Sequence, residues 1–142
     1  MATQYTAGLT TGQVLTAATM NSIGATWENW SPTVTSSGGA LVSVTTNSAR
    51  YSQVNKIITC VFDITINSVG SGSGSLLITM PVASVATANG QSMGTYRERS
   101  VTGDQGFCNR SGTTVCFLQR YDQGAILNSG RSFAGIFTYE AA

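Results

Sequence analysis

The sequence predicts an all-β fold, a sandwich or barrel carrying a short helical segment at its N-terminus. Three observations lead there. The 142 residues include 20 Thr and 17 Ser beside 16 Gly, a composition suited to strands and tight turns rather than helices. Apolar residues alternate along several runs, with turn signals between the runs at short intervals. Helical spacing is confined to the stretch from Gly12 to Ile23 and its continuation to Trp27.

In that first segment Thr16 is a good N-cap, and Leu15 before it reaches Met20, the fourth residue of the helix, as a hydrophobic staple. Met20, Ile23 and Trp27 share one face, flanked by Ala17 and Gly24. This stripe is too small for a core, and an isolated helix of about three turns is marginal in water. The segment must therefore lie on its own β body or on another subunit. Val14, Leu15, Met20, Ile23, Trp27 and Trp30 form the candidate anchor or interface set. The two tryptophans could stack on a glycan, but fixing the segment to the body is the favoured role, because buried aromatics dominate interface energetics. Pro32 and the residue before it resist helix, so the boundary falls there, dividing an anchor over residues 1–30 from a β-sandwich domain over 31–142.

Strands are expected over 33–36, 41–46, 49–54, 56–67, 75–80, 91–101, 106–109, 113–121, 124–127 and 131–139. Three inward rows stand out. Ile58, Cys60, Phe62, Ile64 and Ile66 make the longest, Leu76, Ile78, Met80 and Val82 the second, and Phe133, Phe137 and Tyr139 the third. Together they supply the inner faces of two packed sheets. The run from Gly70 to Ser75 has the glycines of a phosphate loop but no lysine after them and no helix pattern behind them, so it is read as a hairpin loop. Ala83 to Gly90 is a second loop. Cys60 is expected to be a small buried hydrophobe, while Cys108 and Cys116 flank a turn, and their pairing depends on register.

The chemistry available to the chain is limited by composition. It has no histidine, which removes the commonest general base and the commonest metal ligand together. Its six acidic residues, Glu28, Asp63, Glu98, Asp104, Asp122 and Glu140, are single and widely spaced, forming neither a calcium loop nor a carboxylate-pair motif. No enzyme activity, cofactor or metal is expected. One lysine and six scattered arginines give a net charge of +1 and no basic run, which argues against nucleic acid as a partner. No signal peptide or stretch of transmembrane length is visible, so a soluble chain made in a cytoplasm and no membrane partner are expected.

The one charge cluster is Tyr96-Arg97-Glu98-Arg99. On a strand, Arg97 and Arg99 point one way and Tyr96 and Glu98 the other. A solvated strand face is the simplest reading. The alternatives are a recognition patch for an acidic group or sugar, or an ion-pair ladder between subunits, built from Tyr96, Arg97 and Arg99.

The stretch Gly8 to Ile23, with Gly12-Gln13-Val14-Leu15-Thr16-Ala17 and then Met20-Asn21, resembles the start of many bacteriophage virion proteins, which begin with a Gly-x-Val-Leu-Thr-Ala-x-x-Met/Leu-Asn pattern. The run from Ala49 to Lys56, leading through Phe62 to Ile66 and Leu76 to Val82, is also similar to a β module of such proteins. Asn55 stands where relatives often have glycine, and is read as the same turn made by a residue tolerant of positive φ. The resemblance implies a β-sandwich or jelly-roll body that trimerises, tied to the particle by its N-terminal segment. The expected function is that of a non-enzymatic virion structural protein, a trimeric capsid decoration or a head- or tail-fibre-type subunit. Its partners would be its own copies and phage capsid or tail proteins. The alternative is a tail-tip module that recognises a host surface glycan, with loops such as Gln119 to Asn128 forming the site.

Overall fold

The computed structural model describes residues 26–85 and 91–142. The predicted N-terminal helix, with Val14, Leu15, Met20 and Ile23, lies outside the described residues. Nine strands are described: β1 Glu28–Asn29, β2 Val34–Gly38, β3 Ser43–Val54, β4 Ile57–Ser68, β5 Ser73–Thr79, β6 Ser92–Glu98, β7 Gln105–Ser111, β8 Val115–Arg120 and β9 Ser132–Glu140. They form one sheet in the order β1-β3-β4-β9-β6-β7-β8-β5-β2, and every pairing in it is antiparallel.

The chain connectivity forces this sheet to curl. Laid flat, nine strands would be about 38 Å across. Yet the two outermost strands, β1 and β2, are joined only by Trp30, Ser31, Pro32 and Thr33, a link that spans at most about 18 Å. The edges therefore come round to face one another, and the link joins them. Trp30 N donates to the Ala49 carbonyl of β3, while Thr33 and Thr79 of β5 bond through both backbone and side chain.

The concave side of the curled sheet holds one core. Ile58, Cys60, Phe62, Ile64 and Ile66 alternate inward along β4, at 0–3% exposure. Leu76 and Ile78 of β5, Cys108 of β7, Cys116 and Leu118 of β8, and Phe133, Phe137 and Tyr139 of β9 complete it. Each fully buried Ile, Leu or Phe contributes roughly 1.5–3 kcal/mol. Glycines let the strands bend tightly over these aromatics. A Cβ on Gly135 would lie 2.6 Å from the Phe62 ring, and one on Gly106 would lie 2.7 Å from the Tyr96 ring.

Two connections pack against the ends of the sheet. Residues 80–85 bond to the β7–β8 turn and to the C-terminal residues through Met80, Ser84 and Val85 amides. At the other end the 121–131 loop carries Ile126 and Leu127 into the core, and Gly130 N donates to the Ile66 carbonyl.

Several sequence expectations change. The runs 41–46 and 49–54 are one strand, β3, interrupted by a bulge between Thr46 and Ser48. Residues 124–127 form no strand; their two apolar side chains serve as a plug. The Gly70 to Ser75 loop is not a hairpin, because β4 and β5 lie apart in the sheet and the loop is a crossover. Residues 28–29, placed in the anchor by sequence, pair with β3 and belong to the sheet. The inner rows line one continuous curled sheet. Asn55 does adopt positive φ, at 56°.

Candidate functional site

The convex face of β9, β6 and β7 carries a grid of outward side chains fixed by register. Thr95 on the central strand lies opposite Ile136 on one side and Phe107 on the other. One step along the face, Arg97 lies opposite Ala134 and Gln105. Neighbouring strands are about 4.8 Å apart and successive same-face residues about 6.8 Å apart, so the grid is close to the dimensions of one or two sugar rings. With Tyr121 at its margin it forms a groove of about 650 Å³. Phe107, Ile136 and Tyr121 are 44%, 47% and 75% exposed, unusual for large apolar or aromatic side chains gathered in one place.

The structure separates the residues of the charge cluster. Tyr96 and Glu98 point inward and are buried, while Arg97 and Arg99 point out. Tyr96 is therefore not part of an accessible patch: its ring packs edge-on against Phe133 and its hydroxyl has no partner among the described residues. Burial, with the Cys108 side chain next in effect, pushes its phenol well above the ordinary range. Arg99 is engaged with Asp63 of β4. Of the two arginines, Arg97 lines the groove, above the buried Tyr96.

Among the six arginines Arg97 is also the one without a polar partner among the described residues. Arg50 bonds to the Trp27 carbonyl and lies over its ring. Arg110 bonds to the Val85 carbonyl. Arg120 reaches Asp104 and Asp122, and Arg131 reaches Asp104 and the Ile126 carbonyl.

Glu98, which the sequence expectation of a solvated face passes over, organises the loop beside the groove. Its side chain is fully buried, and no cation pairs with it among the described residues. Instead its two oxygens accept from the amides of Ser100, Val101, Thr102, Gly103 and Ser132 and from the hydroxyls of Ser100 and Thr102. Burial opposes its ionisation, but these donors outweigh burial and hold the carboxyl far below the usual carboxylate range. Consecutive amides converging on an anion form a backbone nest, filled here by the protein's own side chain. The local signal was Ser100-Val101-Thr102-Gly103, one residue beyond an inward-pointing Glu.

The two tryptophans have different environments. Trp30 is partly buried, edge-on to Phe137 with 6.0 Å between ring centroids, and its indole Nε1 donates to the Thr79 carbonyl. Trp27 is 44% exposed, against Arg50. Between them Glu28 accepts a 2.8 Å bond from the Tyr51 hydroxyl, and burial together with this carboxylate pushes the Tyr51 phenol up to about 12. The three cysteines are buried free thiols. Cys108 pairs in register with Leu118 and Cys116 with Arg110, so the two are diagonal across the ladder rather than opposite.

Among the described residues no group of His, Cys, Asp or Glu is placed to hold a metal ion, and no helix is long and apolar enough to cross a membrane. Compared with protein-family models, curated proteins and solved structures, the chain matches none.

Proposed function

We propose that this chain is a non-enzymatic structural subunit of a bacteriophage particle, a homotrimeric decoration or head- or tail-fibre-type protein attached to capsid or tail through residues 1–30. In this reading the curled sheet is a sandwich or jelly-roll body. The protein is made in the host cytoplasm and resides in the virion. The observation that carries the reading is the root of the N-terminal segment. Glu28 and Asn29 pair with β3, and Trp30 is packed on Phe137 and bonded to Thr79, so a pull on the segment is passed to the core rather than to a loose tail.

The residues before that root supply the adhesive face in sequence: Val14, Leu15, Met20 and Ile23, followed by Trp27. At about 25 cal/mol per Å², a few hundred Å² of apolar contact contributes several kcal/mol per copy before association costs, and three linked copies act together. A chain with only 9% charged residues and a hydroxyl-rich composition is suited to a repeated component of a particle surface. Deleting residues 1–26 spares β1 and Trp30, and is expected to leave a folded domain that no longer sediments with particles. Normal incorporation of the truncated chain would overturn the attachment.

A further inference from the structure

We infer that the convex groove over β9, β6 and β7 binds an acidic glycan, with Arg97 holding a sugar carboxylate and Phe107 and Tyr121 packing on the ring. The inference is independent of how the chain is attached to a particle. It rests on where charge and apolar surface fall within the groove. The middle strand carries Thr95 and Arg97, and the flanking strands carry Ile136 on one side and Phe107 with Gln105 on the other.

A protein–protein patch keeps its charges at the rim, outside an apolar centre. Here Arg97 is on the middle strand, between Ala134 and Gln105 and one step from the row of Ile136, Thr95 and Phe107, so the cation and the apolar groups share one surface. The concavity of about 650 Å³ lies within the usual range for a small-ligand site.

Charge complementarity selects the ligand. Arg50, Arg99, Arg110, Arg120 and Arg131 all have polar partners, and Arg97, exposed in the groove, has none among the described residues. A guanidinium presents a planar fork of donors that matches a carboxylate in bidentate geometry. The amide of Gln105, directly opposite Arg97, and the hydroxyl of Thr95 add a donor and acceptor set suited to sugar hydroxyls. Tyr121 offers an aromatic face, and Ala134 opposite Arg97 leaves room above the sheet. A hexuronic acid and a sialic acid share the required chemistry, one carboxylate on a pyranose ring.

The test is titration of the full chain with oligogalacturonate, with sialyllactose and with neutral maltotetraose, followed by calorimetry or NMR shifts. At least one acid should bind, more weakly as salt rises, and maltotetraose should not; which acid binds identifies the sugar. Arg97→Gln should weaken binding at least tenfold and Tyr121→Ala severalfold, with melting temperatures unchanged. Arg99→Gln should bind as the parent does. Equal binding by Arg97→Gln, equal binding of maltotetraose, or binding of neither acid overturns the site. Sedimentation on the same proteins adds a second readout. Self-association abolished by Arg97→Gln or by Ile136→Ser would give the groove to a second copy of the chain and likewise overturn it.

Discussion

The indole nitrogen of Trp30 donates to the carbonyl oxygen of Thr79 at 3.1 Å, joining residues 49 positions apart across the seam where the two edges of the sheet meet. This bond, with the edge-on packing of Trp30 on Phe137, holds the curled sheet closed at the point where the N-terminal segment leaves it. Trp30→Ala removes the ring and leaves a carbonyl short of a donor. A loss of about 2–4 kcal/mol is expected in denaturant unfolding. Trp30→Phe keeps part of the packing and should cost about half as much.

Glu98→Gln tests the nest. At neutral pH the neutral amide places an NH₂ among donors and should cost about 2–4 kcal/mol. Because the folded carboxyl is held below its ordinary range, its contribution is fully present above the unfolded pKa of about 4.3 and is lost as pH falls toward the lower folded value. The gap in melting temperature between the parent and Glu98→Gln should therefore be constant from pH 7 to about 5 and narrow below about 4.

Two glycines separate lack of space from backbone strain. A Cβ on Gly94 would lie 2.0 Å from the Ile136 carbonyl oxygen, and backbone cannot rotate away. Gly112 has open space but a φ of +66°. Gly94→Ala should cost at least about 3 kcal/mol, and Gly112→Ala about 1 kcal/mol, measured by chemical denaturation.

The three thiols should be silent in the native protein. Cys60, Cys108 and Cys116 are each fully buried, and burial pushes the Cys60 thiol well above its ordinary range. A thiol reagent at pH 8 should label none of them until denaturant is added and all three afterwards. Labelling of fewer than three after unfolding would reveal a disulfide.

Legibility in the sequence followed the range of the interaction. The inward row from Ile58 to Ile66 was readable because a strand buried on one face repeats every second residue. The turn at Asn55 was readable because its requirement is local. Ile126 and Leu127 were misread as a strand, since two apolar residues in a short run look the same in a plug. The two residues of β1 were too few to show any period. The groove was half visible: alternation set Arg97 on the face opposite Tyr96 and Glu98 without saying which face is outer, and the same alternation along β9 leaves Ile136 outside when Phe133 and Phe137 point in. What joins Ile136, Thr95 and Phe107 is strand order across the sheet, which local spacing does not encode. Glu98 was hidden because a charge suggests solvent unless the donors around it are counted.

The most direct test of attachment is a reconstruction of the intact phage particle at a resolution that traces this chain. The expected result is three copies around an axis, residues 1–26 clasped by capsid or tail protein, and the curled sheet facing outward with the Arg97 groove open. A particle without the chain, or one in which the sheet makes the contacts while residues 1–26 touch nothing, would contradict it.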